Sequence, residues 1–275
     1  VKSGTLIDAT FGMGGHSTAL LERHAGLKVL GIDQDLATVE MARERMKPFG
    51  ERCRIVHANF TDIRELAAES PPITGVLADL GVSSMQFDSE TRGFSFRFDA
   101  PLDMRMDPDS GGETAADLLA TRTQDEIANI IYEFGEERAS RRIARRIVER
   151  RERGEPVTTT RELADLVARA VRSKPSDKIH PATRTFQALR IAVNDEIGIL
   201  DGFISDAIDI VDLGGVVAII SFHSLEDRIV KQAFRRASGQ CQCPRRIPKC
   251  ICGAERLGDV LTKRPLTADE EEIER

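Results

Sequence analysis

The sequence predicts an α/β fold in which a doubly wound parallel sheet is interrupted by a helical domain. Three observations carry this prediction. Short apolar strand patterns alternate with helical patterns over residues 1–80, residues 114–172 show helical patterns alone, and a clear buried strand pattern returns at residues 215–221. Alternation of strands and helices is typical of parallel sheets, because each strand needs a crossover before the next can lie beside it.

The four strands before the helical stretch each have a local reason. The first, at residues 5–9, is a short apolar run that leads directly into glycines, and the second, at residues 27–33, ends on an acid. Two more apolar runs lie at residues 54–57 and 75–80. Apolar runs of this length, bounded by turn residues, fit buried strands.

Helical patterns fill most of the remaining chain, at residues 16–22, 36–47, 63–68, 116–119, 125–134, 138–151, 160–171, 186–211 and 225–236. Pro48 closes the second of these helices, since proline cannot continue a helix. Residues 81–108 have neither pattern and are predicted to form a loop. We therefore expect one sheet domain built from residues 1–106 and 181–275, with a helical insertion over residues 107–180 that contacts RNA.

Composition and charge limit the classes of function. The chain has 275 residues, of which 41% are hydrophobic, enough for a sizeable core without disulfides or metals. A net charge of −6 excludes a polycation and on its own argues against a nucleic-acid partner. The bases are nevertheless concentrated: residues 138–153 hold eight arginines and two glutamates, and residues 235–264 hold eight bases and two acids. Segments this basic can follow a phosphate backbone, although a solvated helix face is the alternative for the first.

The location of the protein is predicted from two absences. No apolar run reaches about 18 residues, so no membrane-spanning helix is expected. The five cysteines are odd in number, and four of them fall between Cys241 and Cys252, which does not fit a secreted disulfide framework. We therefore expect a cytoplasmic protein. The start at Val1, without an initiator methionine, also leads us to expect a fragment of a longer chain.

A glycine-rich loop joins the first predicted strand to the first helix. Gly12 and Gly14 fit the start of the dinucleotide fingerprint G-x-G-x-x-G, but Ser17 stands at its third glycine position. A nucleoside with an amino-acid tail fits at least as well, because Asp8 can interact with the ammonium group of such a tail. A tight strand–helix turn without a ligand is the alternative.

Polar residues also end the second and fourth strands. Asp33 stands where a carboxylate accepts both hydroxyls of a ribose, with helix capping as the alternative. Phe60 follows the third strand, where its ring could lie against an adenine or serve as ordinary core. Asp79 ends the fourth strand. Because ligands in open α/β sheets bind at the carboxyl ends of strands, we expect the glycine loop, Asp33 and Asp79 to face one site.

Five stretches resemble a known family: DLGVSSMQ (79–86), RGFSF (92–96), LDMRM (102–106), HPATRTFQALRI (180–191) and SFHSLEDR (221–228). In this order they are similar to the bacterial 16S ribosomal RNA cytosine-N4 methyltransferases, also called the RsmH or MraW family. The resemblance covers nearly the whole chain. It implies a class I, Rossmann-like methyltransferase sheet with an inserted helical domain, S-adenosyl-L-methionine (AdoMet) as cofactor, and methyl transfer to N4 of a cytidine in the decoding region of 16S ribosomal RNA, within the small ribosomal subunit.

The resemblance also implies site residues. The cofactor positions would be Gly14, Gly15, His16, Asp33, Phe60, Asp79 and Gln86, to which the glycine loop adds Gly12. The family differs from other amino-methyltransferases, which carry a polar-Pro-Pro-aromatic loop after the fourth strand where this chain has Asp79-Leu80-Gly81-Val82. Their mechanism therefore does not transfer directly, although Asp79 and the neighbouring carbonyls still lie nearest the methyl group.

Further polar residues are candidates for the substrate side. Asp103 and Arg105 alternate with apolar residues, so we predict that they line the substrate pocket, with a structural ion pair as the alternative. Asn194 could accept from the cytosine amine or cap a helix. His223 follows a strand and could contact base or phosphate; a Ser-His hydrolase is disfavoured because the G-x-S-x-G elbow is absent. Arg184 is a candidate phosphate or base contact.

Four cysteines form a C-x-C-x6-C-x-C pattern: Cys241, Cys243, Cys250 and Cys252. Four thiols within twelve residues could bind one zinc ion, but the usual spacing is C-x2-C, and free surface thiols are the alternative. The same loop, residues 241–252, is basic, and Arg245 and Arg246 are predicted to contact RNA with or without a metal.

Three functions are compatible with these features. The first is the ribosomal RNA cytosine-N4 methyltransferase, the second an AdoMet-dependent methyltransferase of another RNA, a protein or a small molecule, and the third a nucleotide- or RNA-binding module without activity. The basic segments favour the first over the second, and the intact glycine loop with Asp33 and Asp79 favours an enzyme over the third. The oligomeric state stays open, with a homodimer as one alternative.

Overall fold

The computed structural model describes residues 1–171, 180–241, 243, 251–262 and 264–267. Within these residues five strands form one sheet: β1 (Ser3–Asp8), β2 (Gly26–Asp33), β3 (Cys53–His57), β4 (Ile73–Asp79) and β5 (Val216–Ile220). Their order is β3-β2-β1-β4-β5, and every neighbouring pair is parallel. The chain winds outward from β1 in both directions, so the predicted doubly wound parallel sheet is confirmed.

Helices connect the strands and fill the long segment between β4 and β5. They are α1 (Gly15–Arg23), α2 (Leu36–Met46), α3 (Ile63–Ala68), α4 (Ser84–Phe87), α5 (Ala115–Thr121), α6 (Gln124–Gly135), α7 (Ser140–Glu152), α8 (Thr160–Val171), α9 (Thr183–Asn194), α10 (Glu196–Ile210) and α11 (Ser224–Ala237). In the described part of the chain no helix combines the length and the apolar character that crossing a bilayer requires.

The sheet carries a core on each face. Because side chains alternate along a strand, Leu6 and Ile7 of β1 enter different apolar clusters. Leu6 belongs to a cluster with Leu21 of α1 and Val39 of α2. Ile7 belongs to a second cluster that contains Phe203 of α10. Helices on both faces therefore hold the sheet, and only its strand ends are left for a ligand.

A third apolar core lies in the helical segment. It draws on helices α5 to α9 through Leu119, Ile131, Ile147, Val167 and Leu189. The preceding segment, residues 94–106, contributes Phe94, Leu102, Met104 and Met106 to the same core. A separate core is what an independently packed insertion requires. The exact limits of the insertion, at residues 107 and 180, stay a prediction.

The predicted single helix over residues 186–211 is wrong in one respect. The helix is broken at Asp195, which has a φ of 49° and separates α9 from α10. Aspartate is one of the few residues that adopt this left-handed conformation at modest cost. The side chain of Asn194 is held at the same point by the backbone of Met104 and Met106. The break thus coincides with contacts to residues far away in sequence.

Candidate active site

The carboxyl ends of β1, β2 and β4 meet at one edge of the sheet and border a cavity of about 530 Å³. Asp33 and Asp79 line its sheet side, while Asn194 and Glu196, at the junction of α9 and α10, line another wall together with Phe222. The convergence expected from the sequence is therefore present. Because the helical segment re-enters the sheet domain at this wall, the cavity lies where the two parts of the molecule meet.

The loop after β1 gives a ligand access to the backbone. Gly12 and Gly14 have positive φ values of 52° and 71°, which favour glycine. A Cβ on Gly14 would lie 2.7 Å from the buried ring of Phe11, so this turn can close only around a glycine. Gly12 and Gly15 line the cavity and have open space where a Cβ would stand. The N-terminus of α1, which begins at Gly15, is thus exposed to the cavity.

Asp33 ties this loop to the end of β2. Its Oδ2 accepts a hydrogen bond from the Gly12 amide at 2.7 Å, and its Oδ1 accepts from the Asp35 amide at 2.9 Å. Burial raises the pKa of Asp33 more than these two amides lower it. Each oxygen keeps lone-pair capacity after one bond. The carboxylate is therefore placed to accept two hydroxyl groups from a ligand in the cavity.

Asp79 and His16 lie side by side in the cavity wall and share a hydrogen bond. His16 Nε2 lies 3.3 Å from Asp79 Oδ2, and this hydrogen bond raises the pKa of His16. The backbone amide of Asp79 donates to Thr10 Oγ1 at 2.6 Å, which fixes the end of β4 against the glycine loop. Asp79 Oδ1 is buried and has no hydrogen-bond partner among the described residues. Unpaired buried polar atoms are uncommon in folded proteins, and functional sites are one of the places where they occur.

Asp8 lies beneath the glycine loop and is almost completely buried. It accepts a hydrogen bond from Ser17 Oγ at 2.6 Å. Burial dominates its environment and raises the pKa of Asp8 from 3.8 to about 6, against the lowering effects of Ser17 and His16. The sequence singled out Ser17 as the residue that breaks the dinucleotide fingerprint. In the structure Ser17 has a positive reason to be there, since a glycine could not donate this bond.

The pKa of Asp8 predicts a pH dependence of stability. Between about pH 4 and pH 6 the folded chain holds a proton that the unfolded chain has lost, so the free energy of unfolding falls as pH rises. A shift of this size corresponds to about 3 kcal/mol. Asp8→Asn should remove this loss, making the variant more stable than the parent at pH 8 and about equal at pH 4. Urea unfolding of the ligand-free proteins measures both.

The matched control for this experiment is Glu40→Gln, which neutralises an exposed acid on α2. It should leave the pH dependence of unfolding unchanged. An Asp8→Asn variant whose stability falls between pH 4 and pH 8 as steeply as that of the parent would show that Asp8 is ionised in the folded state throughout this range.

Gln86 lies in a buried polar network below the cavity wall. Its Nε2 donates to Asp35 Oδ2 at 3.0 Å, and Arg92 donates to the same oxygen at 2.7 Å. Burial would raise the pKa of Asp35, but the bonds from Gln86 and the charge of Arg92 outweigh it and lower the pKa. Arg92 also donates to the carbonyls of Arg105 and Met106. Arg92 belongs to the RGFSF motif, whose sequence predicts no role for it; in the structure it links Asp35 to the segment that packs against the helical core.

Asp103 and Arg105 form a two-pronged ion pair with each other. Arg105 Nε and Nη2 donate to the two oxygens of Asp103, both at 2.8 Å. Burial raises the pKa of Asp103, but the bonds and charge of Arg105 more than compensate and lower it. Neither residue lines the cavity. The geometry is that of the structural alternative, and their predicted role on the substrate side stays a prediction.

Asn194 is held by three backbone contacts at the break between α9 and α10. Its Oδ1 accepts from the Met106 amide at 2.7 Å, and its Nδ2 donates to the carbonyls of Met104 and Arg190, both at 2.8 Å. It nevertheless lines the cavity. With both ends of its amide engaged, Asn194 can shape the wall.

Two buried acids follow Asn194 along this wall. Glu196 accepts two bonds from Arg190, both at 2.8 Å; burial raises its pKa despite that charge. Glu226 accepts from the Phe222 amide at 2.9 Å and belongs to a capping box with His223, whose Nδ1 accepts from the Glu226 amide. His223 thus caps α11, and it does not line the cavity. Phe222 does, with 72% of its surface exposed, and the sequence analysis did not select it.

Comparison with known proteins decides which chemistry this cavity serves. A model of the MraW methylase family matches residues 1–275. The chain belongs to the MraW methylase family. A ribosomal RNA small subunit methyltransferase H from Trichlorobacter lovleyi is 50% identical over 277 residues, covering 99% of this chain and 88% of that protein. The protein of that name from Carboxydothermus hydrogenoformans is 47% identical over 274 residues, covering 99% and 87%.

Membership of the MraW methylase family confirms the resemblance found in the sequence motifs. This chain is an AdoMet-dependent methyltransferase, and the predicted cofactor is confirmed. Among solved structures, an rRNA methylase from Streptococcus thermophilus matches with a TM-score of 0.25 and 20% identity, over 29% of this chain and 46% of that chain, too slight a likeness to add to the assignment.

The cavity fits AdoMet on observations of its own. The open backbone at Gly12 and Gly15 admits a ligand against the loop, and Asp33 offers both carboxylate oxygens for ribose hydroxyls. The carboxylate of Asp79 also lines the cavity, where a cationic group of a ligand would find a negative charge. Phe60 lines the cavity and packs against Phe203 with ring centroids 4.6 Å apart, which gives an adenine an apolar wall. The residues present therefore suit a nucleoside that carries an amino-acid tail.

The remaining predicted residues lie away from the cavity. Arg184 is exposed on α9 and its guanidinium reaches the Glu136 carbonyl at 3.5 Å. Arg245, Arg246 and Cys250 lie outside the described residues. Cys241, Cys243 and Cys252 lie beyond the end of α11, and none of them lines the cavity.

Proposed function

We propose that this methyltransferase modifies the exocyclic N4 of a cytidine in the decoding region of 16S ribosomal RNA, within the small ribosomal subunit and thus in the cytoplasm. The observation that carries the proposal is a cofactor-sized cavity whose wall combines a buried, unpartnered carboxylate oxygen on Asp79 with an exposed aromatic ring on Phe222. The names of the related proteins, small-subunit ribosomal RNA methyltransferases, support the substrate class.

Residues at the sheet edge would hold the cofactor. Asp33 binds the ribose hydroxyls, Phe60 lies against the adenine, and Asp79 with His16 faces the amino-acid tail and the methyl group. Gln86 acts through Asp35, which it fixes beside Asp33. The complete set that we propose is Gly12, Gly14, Gly15, His16, Asp33, Phe60, Asp79 and Gln86.

Activation of the target amine is the chemical task of the protein. AdoMet supplies the electrophilic methyl group when bound. The exocyclic amine of cytosine is a weak nucleophile because its lone pair is delocalised into the ring, so the protein must hold the nitrogen in line and accept a hydrogen bond from it. We propose Asp79 as this acceptor, because it lines the cavity and one of its oxygens has no hydrogen-bond partner among the described residues. Asn194 would act by fixing the opposite wall.

Phe222 would receive the base. A cytosine inside a paired helix cannot reach a cavity of this depth, so it must be flipped out or presented from an unpaired strand. An aromatic ring that is 72% exposed at a cavity wall offers a face on which such a base can stack. Gly81 lies beside it: a Cβ there would be 3.8 Å from the Phe222 ring and 3.7 Å from Arg190. The absence of a side chain at Gly81 leaves the approach between ring and strand end open.

The basic helix α7 is the RNA surface that we propose for the inserted domain. Arg141, Arg142, Arg145 and Arg146 are exposed, and only the last two are paired with an acid, Glu149, among the described residues. Other arginines of the helix are structural: Arg151, for example, donates to three carbonyls at the end of α5. The exposed four can therefore track phosphates while the rest hold the domain together.

Methyl transfer from labelled AdoMet to small ribosomal subunits tests this function. The subunits are taken from cells that lack this protein, so that the site is unmodified. We expect label in 16S ribosomal RNA, recovered after nuclease digestion as N4-methylated cytidine. Label in another nucleoside would contradict the cytosine-N4 assignment, and label in protein would contradict the RNA substrate.

Two comparisons make this experiment specific. Free 16S RNA is assayed beside assembled subunits, and we expect the subunit to be the better substrate because the basic surface recognises a folded shape. Asp33→Ala serves as the control that binds cofactor poorly and should transfer little label.

A further inference from the structure

We propose that Cys241, Cys243 and Cys252 form a thiolate site for a structural zinc ion beyond the end of α11. The three residues are brought together from two segments, just after α11 and at residues 251–262. They share no residue with the cofactor cavity. The site is therefore separate from the methyltransferase chemistry.

The distances between the sulfur atoms fit a metal. The three Sγ atoms all lie within 4.8 Å of one another, and those of Cys241 and Cys252 are 3.8 Å apart. Four sulfurs arranged tetrahedrally at about 2.3 Å from zinc would be separated by about 3.8 Å. A disulfide would need about 2.05 Å between sulfurs. The cluster thus has the spacing of ligands around one ion.

A backbone amide contacts one of the three sulfurs. The amide of Ile251 donates to Cys243 Sγ at 3.4 Å. Outer contacts of this kind orient the ligands of metal sites. Three thiolates leave one position of a tetrahedral ion for a further ligand.

The segment that carries Cys252 has almost no core to hold it. Every residue from 251 to 262 is exposed, including Ile251 at 77% and Leu257 at 58%. Its backbone contacts with the end of α11 are short: the amides of Leu257 and Gly258 donate to the Ala237 carbonyl, and Arg256 forms an isolated bridge with Ser238. A segment without buried apolar surface needs another source of order, and a metal link between chain segments is one that small structures use.

Zinc would fix both ends of the basic loop. Cys243 and Cys252 flank residues 244–251, which include the basic residues of this part of the sequence. A metal bound to both cysteines would close residues 244–251 into a loop. This would lower the conformational entropy of the segment before any RNA is bound. The metal would therefore join the two ends of this basic segment.

Metal analysis of the full chain tests this site. The protein is purified without chelators and without a metal-affinity tag, and zinc is measured by inductively coupled plasma mass spectrometry. We expect about one zinc ion per chain, and less than about 0.2 in the double variant Cys241→Ser with Cys252→Ser. Less than about 0.2 zinc in the parent chain would overturn the proposal, as would zinc that the double variant retains.

Cys53 supplies the matched control. Of the four cysteines that the structure describes, it is the one outside the cluster; it is half-buried at the start of β3, where burial raises the pKa of its thiol to about 11. Cys53→Ser should retain the full zinc content. A loss of zinc in this variant equal to that in the double variant would show that the metal is not held by the cluster.

Cobalt substitution keeps the test valid if the double variant fails to fold. Zinc is removed from the parent chain with a chelator and Co²⁺ is added. Thiolate ligands should give an intense sulfur-to-cobalt charge-transfer band that zinc then abolishes. A weak spectrum typical of oxygen and nitrogen ligands would overturn the proposal. So would a disulfide between these cysteines, found by thiol titration of the protein as purified, before any chelator is added.

Discussion

Asp33→Ala should weaken AdoMet binding by roughly 100- to 10,000-fold. The carboxylate is half-buried at the end of β2, and its two oxygens accept from the amides of Gly12 and Asp35. Two further bonds to ribose hydroxyls, each involving a charged acceptor, contribute about 1.5 to 3 kcal/mol apiece. Alanine removes both and also releases the Gly12 amide, so the glycine loop loses its tie to the sheet.

Two variants separate the ribose contact from the loop tie. Asp33→Asn keeps the size of the side chain and one accepting oxygen but loses the charge, so we expect an intermediate loss of about 10-fold. Glu40→Gln, on the exposed side of α2, should leave affinity unchanged. Isothermal titration calorimetry with AdoMet gives all three dissociation constants. RNA binding by Asp33→Ala should be preserved, because the basic surface lies on α7.

Equal AdoMet affinity in Asp33→Ala and the parent would refute the ribose role. A loss of affinity accompanied by equal loss of thermal stability and of RNA binding would instead indicate general unfolding. The prediction therefore rests on the contrast between a large effect on AdoMet and a small effect on RNA.

The part of the site that could be predicted from the sequence is the part built on local rules. Strands of a parallel sheet all end at the same edge, so Asp33 and Asp79 had to meet the glycine loop once the strands were recognised. Gly12 and Gly14 were visible because only glycine adopts their positive φ cheaply. These features depend on residues a few positions apart and on one general property of the fold.

The other wall of the cavity could not be predicted in the same way. The predicted long helix is broken at Asp195, next to Asn194, whose side chain is hydrogen-bonded to the backbone of Met104 and Met106. Met104 is ninety positions away in the sequence. Arg92 gains its role from Asp35 and from two carbonyls of the same distant segment. No local pattern announces such contacts, since the helix propensity of residues 186–211 is overridden by tertiary hydrogen bonds.

Net charge was a poor guide for a related reason. The total of −6 hides the distribution, since ion pairs inside the fold neutralise some acids and bases and leave others on the surface. On α7, Arg150 pairs with Glu162 and Arg151 caps α5, while Arg141 and Arg142 remain exposed. Only the structure separates the arginines that hold the domain together from those that can meet phosphate.

Asp79→Asn should lower kcat/KM for methyl transfer by about 100-fold while raising the AdoMet dissociation constant about 10-fold or less. The substitution preserves volume and removes the charge. Asp79 Oδ2 is hydrogen-bonded to His16, whereas Oδ1 has no partner among the described residues. The substitution therefore weakens the acceptor that we propose for the target amine. We expect the larger effect on kcat/KM because the hydrogen bond to the target amine strengthens as the nitrogen gains positive charge in the transition state. Contacts with the cofactor that do not change in the reaction affect only the dissociation constant.

A spectroscopic readout shows whether the variant acts through this site. The hydrogen bond to Asp79 raises the pKa of His16, so Asp79→Asn should lower that pKa, which NMR titration of the ring protons measures directly. Glu22→Gln, an exposed acid on α1, should change neither the titration nor the rate. A lowered His16 pKa with unchanged kcat/KM would mean that Asp79 holds the histidine but not the reacting amine. The acceptor would then have to come from the strand-end carbonyls or from the wall formed by α10.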